Sequence, residues 1–469
     1  MKVLLVNPPF PSGVYNALNM SLPPMGLMYV ASVLREGGHD VKLVDLTVKG
    51  QKVDLSEPDI IGISGCTPQY PFGLELARRA KEEGKVVVMG GPHVTFTAEE
   101  TLKTGLVDFV VRGEGEMTML ELVDALQGGR FDPSKIPGIS WLDRETGRVV
   151  HNPDRPPVMD LDSLPYPARD LVGIRENYNT YLKRTKLSTP IITSRGCPFR
   201  CSFCVVPRMN GRIWRPRSPE AVVDEIEHVV EEYGFEGIIF TDDNFTVRPE
   251  RVKRICDLII ERKIDIAWWC MSRADTILKN EDMVERMAEA GCCTIFIGFE
   301  SPNPETLKFY HKKTSPDVNE RAIELLRKHG IQTLGSFILG ALNEGKEECE
   351  RTIEYALRLD PEQCQFSILT PYPGTEIFDM VKDRIKVRDW TKYDCVHAVF
   401  DSDRLTARQK EKLLRKAYRR FYLRPRRIFN FSKIGPSAKT VWLILRYFFS
   451  QLRKGGKSLW KSCSSIYGR

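Results

Sequence analysis

The chain has 469 residues, of which 42% are hydrophobic, and its formal net charge is +7. This length predicts two or three domains that each bury a core of their own. Many of the 12 cysteines lie within apolar runs, and the N-terminus carries no charged-then-apolar leader, which argues against a small disulfide-bonded secreted protein and predicts a reduced, cytoplasmic one.

Residues 1–135 alternate short β-rich runs with helical patterns. The runs predict strands at residues 2–6, 41–44, 59–64, 85–91 and 107–116. Apolar strands separated by helices predict a parallel sheet covered on both faces, and therefore a doubly wound α/β domain. Ligands of such sheets bind beyond the carboxyl ends of the strands. Those ends carry NPP, SGCT, GGPHVT and GEGE, whose small residues let a large ligand approach the backbone.

Residues 136–185 are expected to form a linker with a hairpin around WLDRETGRVV and a proline-rich stretch after it. A second alternation covers residues 186–400. Its six predicted strands are residues 190–194, 236–244, 265–273, 293–300, 331–340 and 364–375. Six strand–helix units predict a partial (β/α)6 barrel, in which the chemistry belongs at the carboxyl ends of the strands.

Three cysteines follow the first predicted barrel strand: Cys197, Cys201 and Cys204, with the spacing C-x3-C-x2-C. Three thiolates can bind three irons of a [4Fe–4S] cluster and leave the fourth iron open to a ligand that is not protein. A zinc site needs a fourth Cys or His nearby, and the nearest histidine, His228, lies within a predicted helix. Three unrelated core cysteines are disfavoured, because proline and arginine flank these three.

This triplet, placed after the first strand of a (β/α)6 barrel, resembles the signature of the radical S-adenosylmethionine superfamily. In that family the open iron chelates the amino and carboxylate groups of S-adenosylmethionine, and an electron from the cluster cleaves it to methionine and a 5′-deoxyadenosyl radical. The resemblance extends to GFE, SRAD and GSFILGALNE at later strand ends. It implies cofactor contacts at five residues: Gly298 and Glu300 near the methionine amino group, Arg273 near the ribose and carboxylate, and Phe203 and Gly340 near adenine. Taken singly, Glu300 and Arg273 are equally consistent with ordinary ion pairs.

The first domain resembles the cobalamin-binding fold that precedes many barrels of this family, through NPP, PPMGLMYVASVLREGGHDVKLVD, GGPHVT and GEGE. The resemblance implies cobalamin contacts at eight residues: Ser64, Thr67, Gly90, Gly91, His93, Val94, Glu114 and Glu116. The D-x-H-x-x-G signature of classical cobalamin mutases is absent, so base-off cobalamin without a protein histidine on cobalt is expected. His93 is interpreted as a residue that positions corrin side chains, with a structural hydrogen bond as the alternative.

The resemblance implies methyl transfer to an unactivated carbon, in which one S-adenosylmethionine methylates cobalamin and a second generates the substrate radical. The alternative is radical oxidation, ring formation or carbon–carbon coupling without methyl transfer, as in anaerobic oxidative cyclases of tetrapyrrole synthesis. Asp242 and Asn244, which end the second predicted barrel strand, are the candidate catalytic residues, with capping of the next helix as the alternative. A reductant such as flavodoxin or ferredoxin is expected as a partner.

Residues 401–469 are predicted to form a basic helical tail, because no Asp or Glu follows Glu411. An apolar stripe within residues 441–452, edged by Lys439, Arg446 and Arg453, favours an interfacial helix on an anionic lipid surface over docking on the barrel or nucleic-acid binding. No uncharged run of about 20 apolar residues predicts a spanning helix. The tail also looks like that of members that act on isoprenoid, hopanoid or tetrapyrrole substrates. A hydrophobic or lipid substrate at the inner membrane face is therefore expected, and no nucleic acid.

Overall fold

The computed structural model describes residues 1–11, 22–129, 131–178, 185, 187–209 and 211–425. They divide into two compact units, the first of which ends at Tyr178. The described strands of the first unit are β1 (Lys2–Asn7), β2 (Asp40–Asp45), β3 (Ile60–Ser64), β4 (Val86–Gly90), β5 (Phe109–Val111), β6 (Ile139–Leu142) and β7 (Val149–His151). Its described helices are α1 (Met25–Glu36), α2 (Tyr70–Glu82), α3 (Pro92–Phe96), α4 (Ala98–Lys103), α5 (Glu116–Gln127) and α6 (Ile174–Asn177).

The first unit is built on one seven-stranded sheet in the order β2-β1-β3-β4-β5-β6-β7. Strands β1 to β5 are parallel, which confirms the doubly wound domain. Residues from Val3 to Val6 of β1 are all buried, as expected for a strand covered on both faces. The strand order reverses between β1 and β3, and the carboxyl ends at such a switch point are where ligands of these folds bind.

The segment expected to be a linker belongs partly to this sheet. Strand β6 pairs antiparallel with β5, with Trp141 opposite Phe109, and β7 completes the predicted hairpin. Beyond the hairpin, the Tyr178 hydroxyl donates to Asp45 at the end of β2, at a distance of 2.8 Å. Residues 136–178 therefore pack with the first unit.

The second unit contains the described strands β8 (Ser188–Ile191), β9 (Ser194–Arg195), β10 (Arg215–Pro216), β11 (Gly237–Phe240), β12 (Ala267–Ser272), β13 (Cys292–Glu300), β14 (Gln332–Leu339) and β15 (Gln363–Ile368). Its described helices are α7 (Val206–Met209), α8 (Pro219–Tyr233), α9 (Pro249–Glu261), α10 (Ala274–Lys279), α11 (Glu281–Glu289), α12 (Pro304–Phe309), α13 (Pro316–Lys328), α14 (Lys346–Leu359), α15 (Glu376–Val381) and α16 (Ala407–Tyr422).

Six parallel strands of this unit form one sheet in the order β8-β11-β12-β13-β14-β15, which confirms the partial barrel. Large aromatic side chains fill its core. Phe240 stacks on Phe245 with ring centroids 4.6 Å apart, and Trp268 packs edge-on against Phe240. All three are fully buried, so the barrel has its own hydrophobic core.

Helix α16 covers the free edge of the barrel sheet. The Tyr418 hydroxyl accepts from the Phe366 amide at 3.2 Å and donates to the Phe366 carbonyl at 3.0 Å. One helical turn later, Tyr422 makes the same pair of bonds with Cys364, at 3.0 and 2.7 Å. The two tyrosines thus satisfy backbone groups of β15 that a neighbouring strand would otherwise pair.

Basic residues of α16 and the turn after it pair with acidic groups of the barrel. Lys416 donates to Glu350 at 2.6 Å, Arg420 pairs with Glu354, and Arg424 donates to Asp360 at 2.6 Å. Residues 416–424 of the predicted basic tail are therefore docked on the barrel unit through ion pairs. The apolar stripe within residues 441–452 lies outside the described residues. Among the residues that the structure describes, no helix is both long and apolar enough to cross a membrane.

Candidate active site

The three clustered cysteines lie on the loop that joins β9 to α7, close to the end of the first barrel strand. All three are half-buried, and the Cys204 amide donates to the Cys201 carbonyl at 3.0 Å. Burial raises the pKa of each thiol, that of Cys204 to about 12, so each keeps its proton at neutral pH until a metal displaces it.

These cysteines fit an iron–sulfur cluster better than a single ion. Among the described residues, no three His, Cys, Asp or Glu side chains converge closely enough to hold one metal ion. Each thiolate of a [4Fe–4S] cluster binds a separate iron, so the three sulfur atoms must be close together but need not point at one shared position. The three cysteines lie within eight residues of one loop, and the bond between the Cys204 amide and the Cys201 carbonyl holds two of them one turn apart.

Ser202 anchors the middle of this loop to two other elements. Its amide donates to the Tyr310 carbonyl at 3.2 Å, and its hydroxyl donates to the Phe309 carbonyl at 3.0 Å at the end of α12. Its own carbonyl accepts from the amide of Ile377 in α15 at 3.2 Å. The middle of the loop is therefore tied to the end of α12 and to α15.

Arg273, at the end of β12, also holds this loop. Its guanidinium carbon lies 3.9 Å from the centroid of the Phe199 ring, a cation–π contact within the loop. The same group donates to Asp275 at 2.9 Å and to the Lys313 carbonyl at 2.9 Å. The side chain is buried. It therefore lies beside the cluster loop, as its position at a strand end predicts, and links three segments.

Glu300 ends β13 in an unusual backbone conformation. Its φ is +60°, and the pairing of β13 with β14 shifts register between Gly298 and Glu300. Its Oε1 accepts from Lys312 Nζ at 2.8 Å, and the pair is nearly buried. A Cβ at Gly298 would lie 2.2 Å from that oxygen, so only glycine leaves room for the carboxylate. A left-handed non-glycine residue is strained, and such strain concentrates at ligand sites.

The residues predicted near adenine pack against the barrel end. The Phe203 ring contacts Tyr310 edge-on, with centroids 5.1 Å apart. Gly340 has φ +78°, and its amide donates to Glu344 at 3.1 Å. A Cβ at Gly340 would lie 3.0 Å from Cδ of the buried Lys410 in α16. Gly340 therefore packs against the Lys410 side chain of α16. The bond to Glu344 fixes the backbone of Gly340.

Asp242 connects the second barrel strand to the first. Its carboxylate accepts from the Thr193 amide at 2.7 Å, the Thr193 hydroxyl at 2.6 Å and the Ser194 hydroxyl at 2.5 Å. The residue is 1% exposed. Both oxygens are thus engaged just before the cluster loop, which is the geometry of a positioning residue.

Asp243 and Asn244, the two residues after Asp242, differ in burial and in hydrogen-bond partners. Asn244 is buried, and its side-chain oxygen accepts from the amide and hydroxyl of Thr246 at 3.3 Å. The N-cap of α9 is Arg248, so capping by Asn244 does not occur. Asp243 is exposed and accepts from the Gly196 amide at 3.2 Å, and surrounding protein together with Asp242 raises its pKa to about 6.

In the first unit, the loops after β3 and β4 interlock. A Cβ at Gly91, whose φ is +98°, would lie 2.8 Å from Ser64 Oγ. Thr67 Oγ1 lies 3.2 Å from Nδ1 of His93, which is 1% exposed. Burial lowers the pKa of His93 to about 3, so the imidazole is neutral. A side chain this buried supports the structural alternative for His93.

The other residues predicted to contact cobalamin differ in how far they are buried. Val94 and Glu116 are buried, whereas Gly90 and Glu114 are half-buried. Glu114 accepts from the Val158 amide at 2.9 Å. Ser64, Gly90 and Gly91 form a rim of small residues, in which a Cβ at Gly91 would collide with Ser64, whereas a Cβ at Gly90 would make ordinary contact with Val111. Small residues at strand ends let a broad, flat ligand such as a corrin approach the backbone.

A cavity of about 350 Å³ opens beside the cluster loop. Its lining residues are Arg200, Cys201, Ser202, Cys204, Pro207, Arg208, Arg212, His311 and Glu376. Its three arginines are exposed. One of them, Arg208, pairs with Asp379 at 3.0 Å. A basic surface thus borders two of the three clustered cysteines.

Sequence reasoning did not single out Lys312, Glu344 or Lys410. Glu344 is fully buried and accepts from the amides of Gly340 and Ala341. Its position in the GALNE segment could have indicated this role, because a carboxylate four residues after a strand-end glycine can accept hydrogen bonds from the backbone amides at that strand end. No comparable local pattern marks Lys312, whose partner lies twelve residues away.

Two family models match the chain: the radical SAM superfamily over residues 191–356 and the B12 binding domain over residues 12–123. An uncharacterized methyltransferase of Pyrococcus horikoshii is 40% identical over 91% of this chain and 93% of that protein. The anaerobic magnesium-protoporphyrin IX monomethyl ester cyclase of Rubrivivax gelatinosus is 32% identical over 90% and 78%. The hopanoid C-3 methylase of Methylococcus capsulatus is 30% identical over 85% and 76%.

A solved structure has the same fold. The radical S-adenosylmethionine methyltransferase TsrM from Kitasatospora setae, with cobalamin and a [4Fe–4S] cluster bound, superposes with a TM-score of 0.65 over 81% of this chain and 74% of that chain. Sequence identity over this match is 21%, so the similarity is one of architecture.

Proposed function

The chain belongs to the cobalamin-binding radical S-adenosylmethionine family, and from this premise we propose that it methylates an unactivated carbon of a hydrophobic substrate. It is a radical S-adenosylmethionine enzyme whose cofactors are a [4Fe–4S] cluster, S-adenosylmethionine and cobalamin. When bound, these groups supply a radical that can take hydrogen from carbon and a methyl group to replace it.

The residues of the chain supply binding and orientation in this proposal. Cys197, Cys201 and Cys204 would hold the cluster, and Glu300 would bind the amino group of S-adenosylmethionine. Arg273 holds the cluster loop through Phe199, and Asp242 holds the segment before that loop. The structural contacts of the loop therefore fix the cluster side of the site in advance.

One observation carries the choice of methyl transfer. The Pyrococcus horikoshii protein named a methyltransferase is 40% identical over nearly the whole of both chains, so the similarity spans both domains. The hopanoid methylase at 30% identity supports a hydrophobic substrate. Membrane contact by the tail is a further part of the proposal, and it rests on the sequence of residues 441–452.

The second candidate is oxidative ring formation without methyl transfer. The observation that favours it is the 32% identity to the tetrapyrrole cyclase of Rubrivivax gelatinosus over 78% of that protein. Proteins named for methyl transfer and for ring formation are both similar to most of this chain, so the product must distinguish the two reactions: methyl transfer adds a methyl group to the substrate, and ring formation does not.

The test is anaerobic incubation of the reconstituted enzyme with methyl-labelled S-adenosylmethionine, a reductant, and either a lipid extract or a tetrapyrrole ester. Label in the carbon skeleton of a product, detected by mass spectrometry, supports methyl transfer. A new ring or double bond without label supports the second candidate. Failure to bind corrin or to cleave S-adenosylmethionine contradicts both.

The electron donor is proposed to be an acidic carrier protein such as flavodoxin or ferredoxin, which docks at the arginine-lined cavity. Arg200, Arg208 and Arg212 are exposed around it, and its wall includes Cys201 and Cys204. Complementary charge steers such encounters and raises association rates. A carrier docked there would face the cluster loop directly.

A further inference from the structure

The turn formed by residues 394–397, with the sequence DCVH, lies at the carboxyl end of the open barrel edge. The amide of Ile368, the last residue of β15, donates to the Cys395 carbonyl at 2.7 Å. This bond continues the contacts of Tyr418 and Tyr422 along the same edge. Chemistry in a barrel of this kind belongs at the carboxyl ends of the strands, so the 394–397 turn lies at the functional end of the barrel.

The 394–397 turn is held in a strained conformation beside aromatic side chains. Cys395 has a φ of +65° although it is not glycine, and its Sγ lies 3.1 Å from the Tyr372 hydroxyl. Half-buried Tyr372 and Trp390 pack against a hydrophobic cluster that includes Tyr393. Left-handed residues other than glycine persist only where the surrounding structure holds them, and they concentrate at ligand sites. The turn is therefore fixed in place at a position where a ligand is expected.

Asp394 orients the imidazole of His397. The carboxylate lies 2.8 Å from His397 Nδ1, and the Asp394 side chain is 1% exposed. It also accepts from the amides of Val396 and His397, at 3.1 and 3.0 Å, so the backbone fixes its position. An ionised carboxylate can only accept, so the neutral imidazole carries its proton on Nδ1 and its lone pair on Nε2.

The Nε2 atom of His397 is available to a ligand. Among the described residues it makes no hydrogen bond, and the side chain is 31% exposed. A metal-ligating histidine almost always donates its other ring nitrogen to a carboxylate, a carbonyl or water, which fixes the orientation of the ring. His397 with Asp394 has this arrangement, so the turn offers one oriented metal ligand.

One imidazole does not hold a metal ion by itself. In the part of the chain that the structure describes, no three His, Cys, Asp or Glu side chains converge on a possible metal position. A metal that binds His397 must therefore bring its other ligands with it. A metallotetrapyrrole does so, because its four nitrogens surround the metal in a plane and leave an axial position that a histidine can occupy. Its flat ring also suits packing against aromatic side chains such as Tyr372 and Trp390.

We propose that His397 ligates the metal ion of a metallotetrapyrrole substrate through Nε2, with Asp394 holding the ring in the required tautomer. This inference rests on the proposed function, whose hydrophobic substrate it assigns to one chemical class. The metal belongs to the substrate, and its ligation positions the macrocycle at the carboxyl end of the barrel. Methyl transfer and ring formation are both compatible with a substrate held in this way.

The experiment measures binding and does not depend on turnover. Full-length, cluster-loaded protein is titrated anaerobically with zinc protoporphyrin IX monomethyl ester and with the metal-free ester, and the Soret absorption band is recorded. Zinc is the probe because it accepts imidazole readily. The unchanged protein should shift the Soret band of the zinc ester to longer wavelength. His397→Ala should abolish this shift and weaken the zinc ester about 10- to 100-fold, while the affinity for the metal-free ester stays the same.

Three further variants complete the design. Asp394→Asn should weaken the zinc ester about tenfold, because the imidazole loses its fixed orientation. His397→Gly should recover the shift when free imidazole is added, because the free ring can occupy the vacated position. His329→Ala is the matched control. The Nε2 of His329 lies 3.4 Å from Glu281, but this residue precedes β14 at the opposite end of the barrel, so its loss should change neither affinity.

Several outcomes would overturn the inference. They are equal losses for both esters in His397→Ala, no shift with the unchanged protein, and unfolding of both His397→Ala and His397→Gln, which would make His397 structural. If methyl label enters a lipid and the zinc ester does not bind, the inference fails and the proposed function stands. If His397 ligates the zinc ester but the protein neither binds corrin nor cleaves S-adenosylmethionine, the ligation is supported and the proposed function fails.

Discussion

The Arg273 guanidinium lies 3.9 Å from the centroid of the Phe199 ring, so the end of the third barrel strand in chain order holds the cluster loop directly. Arg273→Met removes this contact together with the bonds to Asp275 and Lys313. We expect the free energy of unfolding to fall by about 1–3 kcal/mol and iron retention to fall with it. Iron per chain after gel filtration measures this. Arg286→Met, at an exposed ion pair on α11, is the control and should retain iron.

The cluster assignment predicts about four irons per chain after anaerobic reconstitution. Cys201→Ala should lower this content and abolish cleavage of S-adenosylmethionine, because one iron loses its thiolate. Cys66→Ala, in the first unit, should do neither. Full iron content and cleavage in Cys201→Ala would show that the triplet does not bind the cluster.

Adjacent aspartates should respond differently to the same change. Asp242→Asn places an amide where Thr193 and Ser194 donate three hydrogen bonds, so the free energy of unfolding should fall by about 2–4 kcal/mol. Asp243→Asn should change stability by less than about 1 kcal/mol, since the residue is exposed. Denaturant titrations and turnover are compared for both. A stable but inactive Asp242→Asn would instead give that carboxylate a catalytic role.

The buried His93 gives the first unit a pH-dependent stability. Its folded pKa of about 3 lies below the ordinary value of 6.5, so the unfolded chain binds the extra proton. Stability from this group is therefore fully present above about pH 6.5 and is lost as pH falls toward 3, at up to about 1.4 kcal/mol per pH unit. Denaturant unfolding at pH 7 and pH 5 measures the loss.

His93→Gln cannot take up this proton, so its unfolding free energy should change less between the two pH values. His311→Gln, at an exposed histidine of the second unit, is the control and should keep the full pH dependence. The same slope in His93→Gln and the unchanged protein would assign the effect to other groups.

The proposed docking of an acidic carrier predicts a salt-dependent rate of cluster reduction. Replacing Arg200, Arg208 and Arg212 with alanine should slow reduction by flavodoxin about tenfold at low salt and less at high salt. Reduction by dithionite, which needs no protein docking, should change little. Three outer-helix arginines, Arg254, Arg262 and Arg286, form the matched control set. A slower rate that salt does not affect would argue against electrostatic docking.

Local motifs were enough to predict both folds, and they define the centre of the candidate site, which stays a prediction. The cysteine triplet and Gly298 to Glu300 are defined by spacing within a few residues, and the barrel order brings them together. Side-chain partners at long range were not predictable in this way. The carboxylate of Asp242 is directed at Thr193, 49 positions earlier, and that contact removes it from the free strand-end groups.

The tail illustrates the same limit with charge. The absence of Asp and Glu after Glu411 predicts a basic surface for lipid, and that contact stays a prediction. Within the described part of this segment, however, Lys416 and Arg420 pair with Glu350 and Glu354 of α14. Composition records the cations of one segment and cannot identify acidic partners in another. Similarly, the hairpin within residues 136–185 was predicted from its turn, but its pairing with β5 was not, because antiparallel pairing between distant strands leaves no periodic signal of its own.

The tyrosines on α16 have a consequence for which changes the chain tolerates. Four helical residues advance about 6 Å along the axis, and two strand residues advance about 6.6 Å. The spacing of Tyr418 and Tyr422 along the helix therefore matches the spacing of Phe366 and Cys364 along the strand. One inserted or deleted residue between the tyrosines would rotate one hydroxyl by about 100° away from the strand. Substitutions on the outer face of α16 are therefore tolerable, whereas a change in its length there would leave an open sheet edge on which a second molecule could add a strand.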